Sequence, residues 1–477
     1  MSAKRGIPVV ELGEALTKFT PGENENVVSQ SKPRRTQATS SAAEIDWRLV
    51  VELRKEASEK ISQSLENRSE GKELDEDDRQ MLGRAVIRQV VRNYAEQLST
   101  SGQQLWPLAL ERRYAVAVEN AIFGYGRLQP LFEIPDAENI EIHGCDSVIV
   151  QYSDGRRVEH PRVADSDEEL IEAIRFFGAT ANPPRSFDDA HPMMTVAVGK
   201  ESGDQFRIHA IGFGLSYRPS IVIRHHILTS VTLDDLAERQ MMPQRIANFL
   251  RQAVLGRKSI VISGDQGAGK TTLLRALIDA IPETERFGTI ETDYELLTHL
   301  QPGRKNMLAL QAKTGLGELV EGRRLGEYSV ADLVPEALRQ NLSRLVIGEV
   351  RGSEAGAMFE AMQIGTGCLS TTHSHSASST MDRLATRVAS GDALSLDQAF
   401  RQIALNLHLL VHVTLVDDTW RGGLRKRFVS EVRALTGAIE GGRPVTHLVY
   451  QASADGRSEL FDPPVSLMSE LARYRAA

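Results

Sequence analysis

A lysine and two threonines that follow a glycine-rich turn are the sequence's strongest chemical signal. They stand in "VISGDQGAGKTTLLRAL", residues 261–277, where an apolar run breaks into glycines and resumes as a helix-like pattern. Gly264, Gly269, Lys270 and Thr271 satisfy the spacing G-x-x-x-x-G-K-[ST]. That spacing suits a polyphosphate. Glycines let backbone N–H groups turn inward with no Cβ in the way, and a helix starting at Thr271 points its positive end at the same oxygens. Gly264, Asp265, Gln266, Gly267, Ala268, Gly269, Lys270, Thr271 and Thr272 are therefore expected to bind nucleotide. Lys270 would reach the β- and γ-phosphates of ATP, and the Thr271 hydroxyl would ligate its Mg2+. The alternative is a fortuitous Gly-Lys-Thr turn, which the flanking strand and helix patterns argue against.

Other chemically able residues stand at the ends of short apolar runs. "FGTIE" ends in Glu291, with Asp293 and Glu295 close behind; "RLVIGE" ends in Glu349 and "CLSTTH" in His373. In an open parallel sheet, ligands gather beyond the carboxyl ends of the strands. Glu349, Glu291 and His373 are thus the expected catalytic set for a magnesium-dependent phosphoanhydride hydrolase. One carboxylate orients or deprotonates water, another holds the hydration shell of the metal, and a polar group reads the γ-phosphate. Each has a plainer reading: Glu349 as a surface carboxylate capping the next helix, His373 as a structural histidine, the loop acids as solvated charges. A metal site made from His373 and His375 is not expected, because neither cysteines nor further carboxylates stand beside them.

Positioning these residues requires a sheet. "SIVIS", "FGTIE", "RLVIG" and "CLSTTH" read as strands alternating with helical patterns, such as Leu273, Leu274, Leu277, Ile278 and Ile281 before Pro282. Such alternation predicts a mainly parallel sheet covered on both faces, an α/β core over 241–415. A β-rich appendage is expected over 416–477 and a linker over 229–240. Residues 128–228 carry a hairpin pattern in "NIEIHGCDSVIVQYSDGRRV", a helix in "ELIEAIRFFGATA" and strands in "QFRIHAI" and "SIVIRHH", and so read as an α+β domain. A helical bundle is expected over 46–127. Asp46 is its first cap, one stripe is Trp47, Val50, Val51, Ala57 and Ile61, and a second is Met81, Leu82, Ala85, Val86, Val90 and Tyr94. A third helix is expected from Leu108 to Phe123. The polar residues 1–45 read as a disordered arm.

A formal net charge of −8 with 5% aromatic residues gives no global field or stacking platform for nucleic acid, and none is expected as a partner. The two cysteines, Cys145 and Cys368, lie far apart without metal-ligand spacing, as suits a reducing cytoplasm. Neither the first residues nor the apolar run 405–416 is long and apolar enough for a signal peptide or a membrane span.

Together these motifs resemble the type II/IV secretion ATPase superfamily, most closely its CpaF-like branch, the motors of Tad/Flp pilus systems. The resemblance runs from about Leu128 to Leu460. It rests on "GRLQPLFEIPDAENIEIHG", the phosphate loop, "TIETDYEL" in place of the aspartate box, "LVIGEVRGSEAGAMFEAMQIGTG" as an atypical Walker B region, and "STTHS" as the histidine box. Two of these motifs depart from the pattern: Thr292 stands where an acid is usual, and Ser374-His375 where Ala-Asn is usual. The resemblance implies a RecA-like P-loop ATPase core over 241–415, a homohexameric ring with ATP between two domains, and Arg207 and Arg224 reaching its phosphates. It implies a cytoplasmic motor, peripheral to the inner face of the cell membrane and docked on integral platform proteins. A nucleic-acid translocase and a nucleotide-binding regulatory scaffold are the competing readings. Arg351 is a candidate for a contact between subunits.

Overall fold

The computed structural model describes residues 45–474 apart from 67–74, 103, 182–183, 200–203, 314, 316–317, 321, 353, 364, 366 and 391–393. The arm expected over 1–45 lies, but for its last residue, outside the described residues. From Trp47 onward the chain is one compact unit.

Three helices come first: α1 (Trp47–Glu66), α2 (Glu76–Thr100) and α3 (Leu108–Phe123). Val50, Leu53, Ala57 and Ile61 of α1 pack with Ile87, Val90, Val91 and Ala95 of α2 and with Tyr114, Ala117 and Val118 of α3. The stripes differ in phase from those read in the sequence. Val51 and Met81 are exposed, since the buried positions of α1 run 50, 53, 57, 61 and leave residue 51 a quarter-turn off the seam.

After α4 (Gln129–Phe132), a six-stranded antiparallel sheet follows. Its strands are β1 (Ala137–His143), β2 (Ser147–Tyr152), β3 (Arg157–His160), β4 (Met193–Gly199), β5 (Gln205–Ile211) and β6 (Ser220–His225), in the order β3-β2-β1-β6-β5-β4. Helix α5 (Asp167–Thr180) buries Leu170, Ile174 and Phe177 in the core of this sheet, and its N-terminus is capped by the Ser166 hydroxyl accepting from the Glu169 N–H. Phe206, Ile208 and Ala210 of β5 and Ile221 and Ile223 of β6 point into that core. Period two then sends Arg207 and Arg224 to the opposite face, where they stand as direct cross-strand partners.

Helices α6 (Leu233–Glu238), which lies within the stretch read as a linker, and α7 (Gln244–Leu255) lead to the second sheet. There β7 (Ile260–Gly264) feeds α8 (Lys270–Asp279), followed by β8 (Phe287–Glu291), β9 (Met307–Gln311) and the short hairpin β10 (Leu319–Val320) and β11 (Arg323–Arg324). Next come α9 (Val330–Leu338), β12 (Arg344–Ile347), α10 (Glu354–Gln363), β13 (Gly367–His373), α11 (Ala377–Ala389), α12 (Leu396–Asn406) and β14 (Leu409–Asp417). The chain closes with β15 (Arg425–Glu440), β16 (Arg443–Ala452), β17 (Ser458–Leu460) and α13 (Val465–Leu471). The nine-stranded order is β17-β16-β15-β14-β7-β13-β12-β8-β9, parallel from β14 to β9 and antiparallel across β14 to β17. Every residue of β7, β8 and β12 is buried, which explains their unbroken apolar runs. This is the α/β core that the strand–helix alternation predicts, with the RecA-like arrangement that the resemblance implies. The last strands extend its sheet, and β7 sits between β14 and β13, so the phosphate loop opens at the middle of the carboxyl edge.

Candidate active site

The loop between β7 and α8 has the geometry an anion cradle needs. Gly264, Gly267 and Gly269 have φ of 154°, 74° and 94°. A Cβ on Gly264 would come within 2.2 Å of the Val413 carbonyl oxygen, so no side chain fits there. Asp265 and Gln266 are exposed at the bend, Ala268 is buried beneath it, and Gly269 caps α8. Lys270 is buried. Its ammonium donates to the carbonyls of Gly264 at 3.1 Å and Asp265 at 2.8 Å and to His373 Nδ1 at 3.2 Å, which uses all three N–H donors inside the protein. Burial pulls its pKa down to about 8, against the opposing pull of Glu349 and Asp265.

The strand-end residues converge on the same place. With Nδ1 accepting from Lys270, the neutral His373 ring directs Nε2–H toward Glu349, whose Oε1 lies 3.0 Å away without the alignment of a hydrogen bond. Burial, then Lys270, keeps the His373 pKa below the usual histidine value. Glu349 Oε2 accepts from Arg351 Nη2 at 2.6 Å. Burial alone would raise the Glu349 pKa, but the hydrogen bond and charge of Arg351, with Lys270 behind, outweigh it and hold the carboxyl below the ordinary glutamate range.

Glu291 is different. Its Oε1 accepts from the backbone N–H groups of Glu295 at 3.0 Å and Leu296 at 2.8 Å, while its Oε2 is buried without a hydrogen-bond partner among the described residues. Burial pushes its pKa up to about 7 despite those two bonds. The residue before Glu349 is a glycine, and packing leaves little room for more: a Cβ on Gly348 would sit 3.0 Å from Glu291 Cγ. Asp293 is also raised by burial. His375 is almost fully exposed and reaches only Asp265, at 3.2 Å.

Between the two sheets lies a cavity of about 550 Å3 lined by Gly267, Gly269, Thr271, Thr272 and Arg224, among others. Thr271 also lines a smaller cavity of about 60 Å3, shared with Arg207, Glu291, Glu349 and Arg351. One hydroxyl therefore joins the phosphate-loop space to the space in front of the acids. Arg207 is paired with Glu295 across the two sheets.

Several residues of the cleft escape sequence reasoning. Arg275 is buried on α8, donating to the carbonyls of Leu228 and Glu295 and approaching His226 Nδ1. Burial lowers the Arg275 pKa to about 10 and the His226 pKa to about 2, so His226 is neutral. The available signal was a lone cation inside "LLRAL". Glu138, Arg425 and Arg427 also meet at the phosphate loop, and the only sequence cue was the same-face spacing of "RKR". Among the described residues no group of three or more His, Cys, Asp or Glu could hold a metal, and no helix is long and apolar enough to cross a membrane.

Fold and site together define a P-loop ATPase. The chain belongs to the type II/IV secretion system protein family, whose sequence profile matches residues 188–429. It is 30% identical over 313 residues to a Mycobacterium tuberculosis protein named for conjugal transfer, a match covering 62% of this chain and 82% of that one. It is 38% identical over 138 residues to the type IV secretion system protein PtlH of Bordetella pertussis, covering 29% and 38%. Among solved structures, the ATPase DotB of Legionella pneumophila aligns at 20% identity with a TM-score of 0.44, covering 63% of this chain and 77% of that one.

Proposed function

We propose that this protein is a motor ATPase of a secretion or Tad/Flp-type pilus machine, in which ATP bound between the two sheets drives one against the other. The observation that carries the reading is the cleft itself. Its floor is the phosphate loop, its far wall is the arginine-bearing face of the first sheet, and ion pairs span it at Arg207–Glu295 and Glu138–Arg427. A ligand that rearranges these pairs moves the sheets.

Lys270 exchanges its three internal partners for phosphate oxygens, and α8 directs its N-terminal dipole at them. Glu349, kept ionised by Arg351, orients the attacking water and accepts its proton, and His373 stands beside it to read the γ-phosphate. Arg207 and Arg224 supply guanidinium contacts to the phosphates once Arg207 leaves Glu295. Mg2+ would arrive with the nucleotide, held by the Thr271 hydroxyl and the phosphates, and would neutralise charge on the transferring group. Glu291, close enough to shape the hydration around that position, completes the catalytic set.

The working form is a homo-oligomer, a hexameric ring, on the cytoplasmic face of the inner membrane, bound to integral platform proteins. A type IV secretion motor is the second reading, favoured by the names of the relatives above. The deciding measurement is Mg-dependent ATP hydrolysis across protein concentration, beside Lys270→Ala and Glu349→Gln. Turnover that rises with assembly and disappears in both variants supports the motor. A Lys270→Ala protein hydrolysing ATP at the wild-type rate sinks it. Co-purification with pilus platform proteins or with type IV secretion channel proteins separates the two readings.

A further inference from the structure

Glu138 is where β1 departs from regular pairing. Across β1 and β2, Ala137 faces Tyr152 and Asn139 faces Gln151, so Glu138 is the extra residue of a bulge. A bulge re-aims a side chain. Here the carboxylate leaves its own sheet and crosses to β15. Arg425 Nη1 donates to Oε2 at 2.8 Å, and Arg427 Nη2 donates to Oε1 at 2.7 Å and Oε2 at 2.9 Å. Arg427 Nε also donates to the carbonyl of Gly267 in the phosphate loop, at 2.7 Å. One acid of the first sheet, two arginines of the second and the loop thus share a corner of the 550 Å3 cavity.

The energetics of that corner favour an exchange of anions over a simple opening. The Arg425 side chain is only 6% exposed, and removing Glu138 without replacement takes the acceptor from its Nη1 and leaves Asp417 as its remaining counter-charge. Phosphate oxygens match the guanidinium fork as a carboxylate does. A polyphosphate can therefore displace Glu138 while both arginines stay paired. Asp417, 3.3 Å from Arg425 Nε, remains with it throughout.

We propose that Arg425 and Arg427 read the polyphosphate of the bound nucleotide, and that Glu138 holds their place in the ligand-free protein as a latch between the sheets. The proposal rests on the nucleotide reading of the cleft and adds a mechanism to it. Binding and release of the first sheet become one event, because the phosphates take over the arginines that tie Glu138 to the loop. The latch multiplies the apparent affinity by the fraction of molecules in which it is open. The Arg207–Glu295 pair has the opposite polarity, with its arginine on the first sheet, so an incoming anion competes there with the acid of the core.

The test is calorimetric binding of ATP and of adenosine to the full-length protein, with Glu138→Gln, Arg427→Gln, the double variant and Lys270→Ala. Glu138→Gln is expected to tighten ATP binding about tenfold and Arg427→Gln to weaken it about tenfold, with the double variant as weak as Arg427→Gln. Adenosine, which lacks phosphates, is expected to respond to none of them. If Arg427→Gln does not fold, Arg427→Lys keeps the charge without the fork and is expected to bind ATP more weakly. Unchanged or weaker ATP binding by Glu138→Gln overturns the latch, as does adenosine shifting in step with ATP. If wild type and Lys270→Ala bind ATP equally, or neither binds, the nucleotide reading itself fails. Wild-type binding lost in Lys270→Ala, with Glu138→Gln inert, removes the latch alone.

Discussion

Strands β8 and β12 run side by side, with Ile290 opposite Ile347, and each delivers a glutamate to the same cleft. At the end of β12, Glu349 stands among cations and a neutral imidazole: Arg351 at 2.6 Å, His373 at 3.0 Å, and Lys270 beyond the ring. At the end of β8, Glu291 is deeper, held at one oxygen by two backbone amides and unpartnered at the other. The two acids are chemically identical and one strand apart. Their surroundings drive Glu349 below and Glu291 above the ordinary glutamate pKa, the latter to about 7. Carboxylates separated in this way can divide acid–base labour at neutral pH, one permanently ionised and the other able to exchange a proton.

The largest effect that tests this division is on turnover. Glu349→Gln is expected to cut steady-state ATP hydrolysis by about 10²–10⁴-fold while nucleotide binding persists. Glu291→Gln is expected to lose much less at pH 6, where the wild-type carboxyl is already mostly protonated. Equal losses in the two variants would break the comparison.

The next effect is a pH dependence of stability. Glu291 titrates near 7 in the fold and near 4.5 as a free side chain, so between these values the folded state holds a proton that the unfolded state has released. Stability attributable to this group falls as pH rises through that window, by up to roughly 3 kcal/mol. Chemical denaturation from pH 4.5 to 8 is expected to show that slope in wild type and a flatter one in Glu291→Gln. An identical slope in both would mean that Glu291 is not the titrating group.

The smallest effect concerns the gap between the two strand ends. Gly348→Ala places a methyl 3.0 Å from Glu291 Cγ and is expected to destabilise by about 1–3 kcal/mol. Combined with Glu291→Ala the extra cost should largely vanish, a coupling that a double-mutant cycle measures. Additive losses would show that Gly348 does not make room for Glu291.

Much of the site was legible because its signals are local. The phosphate loop is a run of eight residues whose glycines must adopt positive φ, and a spacing rule captures that directly. Helix α3 occupies the span its periodicity predicts, Leu108 to Phe123; Glu291 and His373 were visible as the polar ends of apolar strands, and Glu349 as the acid just past Gly348 at the end of β12. The phases of α1 and α2 were misread at Val51 and Met81 because several apolar residues compete for one stripe, and the mutual packing of α1, α2 and α3 selects among them.

From the sequence alone came the chemistry at hand: a phosphate cradle, a lysine, a threonine and acids at strand ends, since each is encoded by neighbours along the chain. The tertiary structure decided which of those groups is charged and what it touches. Glu291 and Glu349 follow the same kind of strand, and their pKa values diverge because burial and ion pairing depend on residues far away in sequence. Glu138 meets Arg425 across 287 positions, through a bulge in one sheet and the first residue of an inner strand of another, and no spacing along the chain encodes that encounter. Local backbone geometry is written in adjacent residues, whereas charge, desolvation and contact between sheets arise only when strand order and register are set.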